Sequence, residues 1–374
     1  MSGSSHQSQQ QAQRPMPLGL IEGFYGRAWS WAERAKVVRS LAPHGYRSHL
    51  YAPKADATLR AHWRLPLPDD WCEQVRAHQS VCAAANVRFG LGVSPEGFDP
   101  DLAADWHRFE SLIAELNAFE LDSLALLFDD PADRRPLSGN IQARLVNLTG
   151  TLTNANHLFV CPTWYSNDQV LEQIYGAPPK GYLRQLATDI DPSISIFWAG
   201  EQICASGFTA NELERVAEQL GRIPTIWDNY PVNDGPQMFG HLHLREPQQR
   251  KPEVFANRIQ AHYINPALQP TLTLIPAVAL SASYLAVDQN MPPVSEDQRF
   301  IFAAQNCVSK ALAQQLWRDL PYLQDTGLQK LGAAKSDLIR CYSGFSEPAA
   351  QEVLLWLDGF WEAPELKVDT QADS

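Results

Sequence analysis

Eight short apolar runs, separated by stretches of helical periodicity, constrain the fold of this chain more than any other feature. They are LGLIEGFYG (18–26), YRSHLYAPK (46–54), VRFGLGVSP (87–95), SLALLFDD (123–130), HLFVCPT (157–163), ISIFWAG (194–200), PTIWDNYP (224–231) and AHYIN (261–265). Between them lie WAERAKVVRSLAPHG, WCEQVRAHQSVCAAAN, DWHRFESLIAELNAFE, NIQARLVNLTGTLTNAN, GYLRQLATDI and NELERVAEQLG. In the third of these, Phe109, Leu112, Ile113 and Leu116 recur at the spacing that puts apolar side chains on one helical face. LTLIPAVALSASYLAV also has helical composition, with Pro276 expected to kink it or delay its start. About eight strand–helix units over roughly 270 residues fit a (β/α)8 TIM barrel of the α/β class, whose usual size is about 250 residues. A doubly wound open sheet would have fewer strands and a glycine-rich first turn. Neither GxGxxG nor GxxxxGK[ST] occurs.

Polar residues gather where the runs end: Glu22, Lys54, Glu96, Asp129, Asp130, Tyr165, Asp228, Asn229, Asp234 and Asn265. In a barrel all carboxyl ends of the strands share one face, where active sites are built. Leu126-Leu127-Phe128-Asp129-Asp130 is the most abrupt of these ends. Burying an unpaired carboxylate is costly, so the strand must reach a polar cleft where it stops. Pro131 biases Asp130 toward an extended backbone. Both carboxylates face one pocket only if the pleat breaks at the rim, and neighbouring like charges then push their pKa values apart. Taken alone, the pentapeptide reads more readily as a strand-to-loop turn, where Asp is common for its side-chain hydrogen bonds.

Beyond 293 the strand pattern stops. EDQRFIFAAQNCVSKALAQQLWRDLPYL and PAAQEVLLWLDGFW read as amphipathic helices. The expected organisation is a disordered head at 1–17, a barrel at 18–292, a helical domain at 293–363 and a flexible tail at 364–374. The helical domain would pack on its own chain or across a homodimer. A net charge of -12 argues against nucleic-acid or anionic-membrane partners, because no basic excess exists to neutralise phosphates. The polar Gln/Ser-rich head lacks the apolar core of a secretory signal, and no run is long enough to span a bilayer. The 6 cysteines form no CxxC pair and no paired framework. A soluble, cytoplasmic protein is expected, and the sequon at Asn147 then has no meaning. The 11 tryptophans include Trp29, Trp63, Trp164, Trp198 and Trp227 beside polar residues near strand ends, an arrangement suited to sugar rings.

The strand ends follow a known order: IEGFYGRAWSW, YAPKAD, Trp63-Arg64, SPEGFD, LFDD, CPTWY, FWAG, IWDNYPVND and IN. In these motifs the chain resembles glycoside hydrolase family 84, the O-GlcNAcase and bacterial β-N-acetylglucosaminidase or hyaluronidase group, over roughly 18–290. The resemblance implies hydrolysis of terminal β-linked N-acetylglucosamine from a glycoconjugate, with retention and without cofactor or metal. The substrate's acetamido oxygen would attack the anomeric carbon to form an oxazoline, an exception to the two-carboxylate nucleophile pattern. By the same resemblance, Asp129 orients the acetamido group and Asp130 is general acid, then base. Tyr165 would hold the acetamido oxygen, Gly23 (through its backbone), Lys54, Asn229, Asp234 and Asn265 the sugar, and Trp227 an aromatic wall. The chain departs from the pattern at Ala55, Pro131 and Trp164, the last standing where a Glu commonly precedes the tyrosine. Two alternatives remain at this stage. One is a metal-dependent barrel hydrolase using Asp129, Asp130, His241 and His243. The other is a barrel that binds N-acetylglucosamine without turnover, which fold alone leaves open.

Overall fold

A computed structural model describes residues 16–236, 238–289 and 294–361. The eight apolar runs form the eight strands of a closed parallel barrel. They are β1 (Leu18–Ile21), β2 (Tyr46–Tyr51), β3 (Arg88–Val93), β4 (Ser123–Leu127), β5 (His157–Cys161), β6 (Ser195–Trp198), β7 (Thr225–Asp228) and β8 (His262–Ile264). Closure is direct, with Leu18, Gly19 and Leu20 of β1 opposite His262, Tyr263 and Ile264 of β8. Helices cover the outside, beginning with Trp31–Leu41, Asp69–Ala84, Ala103–Leu116 and Gly139–Leu152 after the first four strands. Their starts are legible in the sequence: Ser30 and Glu33 make a reciprocal capping box, and Ser138 caps the fourth helix. Pro276 falls in the first turn of Leu274–Asp288, where a missing N–H costs nothing, so the helix begins just before it.

Every strand stops short of its apolar run, and the residues left over at the carboxyl ends form the loops of the functional face. The barrel interior is packed, as this fold requires. Phe159 stacks on Phe197 at 5.2 Å between centroids, and Tyr263 meets both rings edge-on. The Tyr263 ring lies against Gly19, where any Cβ would sit 2.3 Å from its Cε1. Tyr263 closes the layer by donating to Ser48 Oγ at 2.8 Å.

Strand side chains alternate between the two faces, and this parity separates two sets of polar residues. Trp227 and Tyr263 point inward, so Asp228 and His262 point out toward the helical layer. Buried Asp228 accepts from Arg250 Nε at 3.0 Å and Nη2 at 2.7 Å, and lies 3.0 Å from His262 Nε2. His262 in turn contacts the Tyr284 hydroxyl at 2.9 Å. Glu22 is likewise buried, held by Arg34 Nε at 2.9 Å and His49 Nε2 at 2.9 Å. His49 Nδ1 meets His78 Nε2 at 3.0 Å. Among the described residues, His49, His78 and Cys82 form the one trio of metal-capable side chains drawn together. With His49 Nε2–H donating to Glu22, His49 Nδ1 accepts from His78 Nε2–H, and this chain of hydrogen bonds accounts for the two imidazoles meeting.

Burial alone would raise the pKa of Asp228, but Arg250 and His262 override it and hold the carboxyl down at about 2. A folded-state pKa below the unfolded value of about 3.9 stabilises the fold above that value, and the contribution is lost as pH falls through about 2. Arg250→Met strands a buried carboxylate and is expected to cost about 3–5 kcal/mol at neutral pH. The check is the denaturant midpoint, which should recover partly when Asp228→Asn is added.

The helices Glu296–Gln305, Lys310–Leu320, Ala334–Tyr342 and Pro348–Leu357 pack on the barrel. The C-terminal region grips the β7–β8 connection: Gln324 Oε1, in the turn after Lys310–Leu320, accepts from Leu244 N and Arg245 N, and Trp356 Nε1 donates to Phe239 O. Glu352 accepts from the backbone of Thr271 and Leu272 ahead of Leu274–Asp288. The expected head and tail fall mostly at 1–15 and 362–374, and the expected domain junction at 290–293, all outside the described residues.

Candidate active site

At the carboxyl ends of the strands a cavity of about 110 Å³ is lined by Gly23, Tyr25, Asp129, Asp130, Cys161, Tyr165, Ile203, Cys204, Trp227, Asn229, Val232, Asp234 and Asn265. All the residues expected to form the site line it except Lys54, which meets it through Asp129. The Lys54 side chain is 1% exposed, and its Nζ lies 2.5 Å from Asp129 Oδ2. A separate, larger groove of about 690 Å³ runs beside it between the β3 and β4 loops, and Asp129 lines both.

Asp129 continues the inward parity of Leu127. Asp130 should then face outward, and the expectation of an extended backbone there is not met: its φ is +49°. Left-handed φ is uncommon outside glycine, although Asp tolerates it better than most residues. That single torsion breaks the pleat and turns the second carboxylate to the same side as the first. Asp130 Oδ2 accepts from Tyr25 Oη at 3.2 Å, and Oδ1 lies 3.2 Å from Tyr165 Oη and 3.4 Å from Tyr175 Oη. Its pKa is raised, chiefly by burial. Lys54 opposes the shift, and repulsion from Asp129 adds to it only after that. Like-charge repulsion, the reason available from the sequence, is thus the lesser cause.

Asp129 is buried, and among the described residues its Oδ1 has no hydrogen-bond partner. Its other oxygen is held by Lys54, so a donor brought into the cavity would complete the carboxylate. Asp234 also has a raised pKa, again from burial first, while its Oδ2 accepts from Tyr25 N at 2.7 Å.

The two asparagines are framework as well as lining. Asn265 Oδ1 accepts from Gly23 N at 3.0 Å and its Nδ2 donates to Asn229 Oδ1 at 2.9 Å. Asn229 Oδ1 also accepts from Trp227 Nε1, and its Nδ2 donates to Ile203 O. Each amide keeps one N–H for a ligand. Trp227 lies over Gly23, where an added Cβ would sit 2.1 Å from its Cζ2. Gly23→Ala therefore displaces the aromatic wall, and at least a tenfold loss of affinity for a sugar ligand is expected in a binding titration.

Glu22, Glu96 and Asp228 do not reach this cavity. Glu96 pairs with Arg60 at 2.5 Å, and the other two belong to the outward networks. The constellation of Asp129, Asp130, His241 and His243 does not form. His241 Nδ1 lies 2.8 Å from Gln324 O, and His243 stacks on Tyr230. Tyr25 was legible from the same parity as Gly23, two residues on. Tyr175, at the end of the helix Gln169–Tyr175 that follows β5 rather than at a strand end, carried no sequence signal.

The profile of the family described as beta-N-acetylglucosaminidase matches residues 18–316. The chain belongs to this family, glycoside hydrolase family 84. It is 28% identical over 228 residues to the protein O-GlcNAcases of Rattus norvegicus and of Mus musculus. The match covers 58% of this chain and 24% of each relative, so the chain spans about a quarter of those proteins. In fold it is similar to a mutant of the Thermobaculum terrenum O-GlcNAc hydrolase, with a TM-score of 0.71 and 22% identity over 91% of this chain and 80% of that one. It is similar also to CpGH84B, with a TM-score of 0.70 and 20% identity over 92% and 66% of the two chains.

Proposed function

We propose that this family member removes terminal β-linked N-acetylglucosamine with retention, using the substrate's own acetamido oxygen as nucleophile. The observation that carries the reading is the asymmetry of the adjacent carboxylates. Asp129 is charge-paired to Lys54 yet leaves a buried oxygen without a donor among the described residues, which suits the N–H of an acetamido group. Asp130 is pushed toward its protonated form, which suits a general acid. In this scheme Asp129 holds the acetamido N–H while its oxygen attacks, and its charge stabilises the positive charge of the closing ring. Asp130 protonates the departing oxygen, then takes a proton from the water that opens the oxazoline. Tyr165 turns to the acetamido oxygen, Trp227 walls the sugar, and the free N–H groups of Asn229 and Asn265 with Asp234 hold its hydroxyls. Intramolecular attack avoids the entropy of recruiting a separate nucleophile.

The similarity to protein O-GlcNAcases supports a serine- or threonine-linked sugar on a protein as substrate. All 6 cysteines are free thiols, which supports a reducing, cytoplasmic setting. Release of a chromophore from an aryl β-N-acetylglucosaminide is the first test, and binding without turnover would favour the non-catalytic alternative. Progressive fluorination of the N-acetyl methyl group weakens the acetamido oxygen and should lower the rate at every step. A flat response, or a sugar ester trapped on an enzyme carboxylate, would point to an enzyme nucleophile instead. With Asp130 as acid, kcat/KM for an unactivated glycoside should fall as pH rises through its raised pKa, above the ordinary carboxylate range.

A further inference from the structure

Asp130 has two hydroxyls more than the proposed chemistry uses, and one of them shares an oxygen with Tyr165. Tyr165 and Tyr175 both donate to Oδ1, and Tyr25 donates to Oδ2. If Tyr165 turns to the acetamido oxygen when substrate binds, Tyr175 is the hydroxyl left on Oδ1 among the described residues. Its position is braced from both ends of its short helix, Gln169–Tyr175. At the start, Asp168 caps the helix by accepting from Val170 N, and its second oxygen accepts from Ile203 N in the neighbouring loop. At the end, Gly176 adopts a φ of +79° and its carbonyl accepts from Trp164 Nε1 at 3.1 Å. Trp164 directly precedes Tyr165 and is set edge-on against Tyr182 at 4.8 Å. The tryptophan that stands in place of the family's usual Glu thus ties the Tyr175 turn to the strand end that carries Tyr165.

We propose that Tyr175 is a positioning residue for the general acid, anchored by Trp164, which keeps Oδ1 of Asp130 hydrogen-bonded while Tyr165 engages the acetamido group. This rests on the assignment of Asp130 as the acid. A hydroxyl donated to a carboxylate favours the charged form. The other titratable groups facing Asp130 are Lys54, Asp129, Asp234, Tyr25, Tyr165 and Cys161, and Arg134 acts on Tyr175 itself. Tyr175→Phe leaves all of these in place and removes one donor.

The experiment compares pH profiles of kcat/KM for the wild type, Tyr175→Phe and Trp164→Phe on an alkyl and an activated aryl β-N-acetylglucosaminide. With the alkyl substrate, Tyr175→Phe should move the basic limb up by about half a unit to one unit, because the acid then keeps its proton to higher pH. The plateau kcat should fall several-fold with KM within about twofold, and the aryl substrate should change by less than about twofold. Trp164→Phe keeps an aromatic, though smaller, side chain and loses the N–H, and should shift the limb in the same direction by less. Limb positions do not depend on the amount of folded enzyme, so partial destabilisation leaves the readout intact. An unmoved limb in Tyr175→Phe, with an active wild type, overturns the role of Tyr175. A wild type that releases no sugar from either substrate overturns the functional reading itself.

Discussion

On an alkyl β-N-acetylglucosaminide, Asp130→Ala is expected to lose about a hundredfold to ten-thousandfold in kcat/KM, the usual worth of general acid catalysis. An alkoxide is a poor leaving group and cannot depart without a proton. An activated aryl oxide departs unaided, so with that substrate the first step should be largely spared. The second step still requires a base, because water must lose a proton as it opens the oxazoline. Azide needs no base, and adding it should restore turnover of the aryl substrate and yield a glycosyl azide. The variant should fold: Asp130 makes no ion pair among the described residues, and its contacts are three tyrosine hydroxyls at 3.2–3.4 Å. Losses of the same size on alkyl and aryl substrates, with no effect of azide, would remove Asp130 from the acid–base role.

The barrel was legible because each of its strands is an apolar run long enough to be recognised without its partners, and the helices between them carry their own caps. The strand ends were less legible, because a regular ladder and the loop beyond it share the same apolar composition until a polar residue intervenes. The gathering of polar residues at the strand ends marks a face, and the parity of the strands sorts which of them enter the cavity. Gly23, Trp227, Asn229 and Asn265 lie on the inward face and line the cavity. Glu22 and Asp228 sit one residue out of phase, and each is consumed by a guanidinium and an imidazole in the outer layer. That separation follows from the two-residue period alone.

Asp130 is the exception that parity cannot supply. It reaches the cavity through a left-handed backbone torsion, and nothing in an Asp-Asp-Pro sequence announces it. Tyr175 was illegible for a different reason. Its hydroxyl meets Asp130 across 45 residues through a helix end held by Trp164, a tertiary contact without local signature. The anchoring of 238–250 was hidden in the same way, since Gln324, Asp325 and Trp356 of the C-terminal region hold it.

Asp129 should behave unlike Asp130 under substitution. Asp129→Ala leaves the buried Lys54 ammonium without its carboxylate, so it mixes a catalytic loss with a stability cost of about 3–5 kcal/mol. Asp129→Asn is the cleaner variant, because an amide oxygen of the same shape still accepts from Lys54. It has no charge to offset the positive charge of ring closure, and its one strong acceptor is already taken when the acetamido N–H arrives. The expected loss is about a hundredfold to a thousandfold, comparable to removing one preorganised electrostatic contact. It should be similar for alkyl and aryl leaving groups, since the acetamido group must be held whichever group departs, and azide should not restore it. The variant also reports on the coupling between the carboxylates. The charge of Asp129 helps raise the pKa of Asp130, and its loss leaves Lys54 unopposed, so the basic limb of the pH profile should move down. An unmoved limb, together with a loss confined to poor leaving groups, would show that Asp129 is not the partner of the acetamido group.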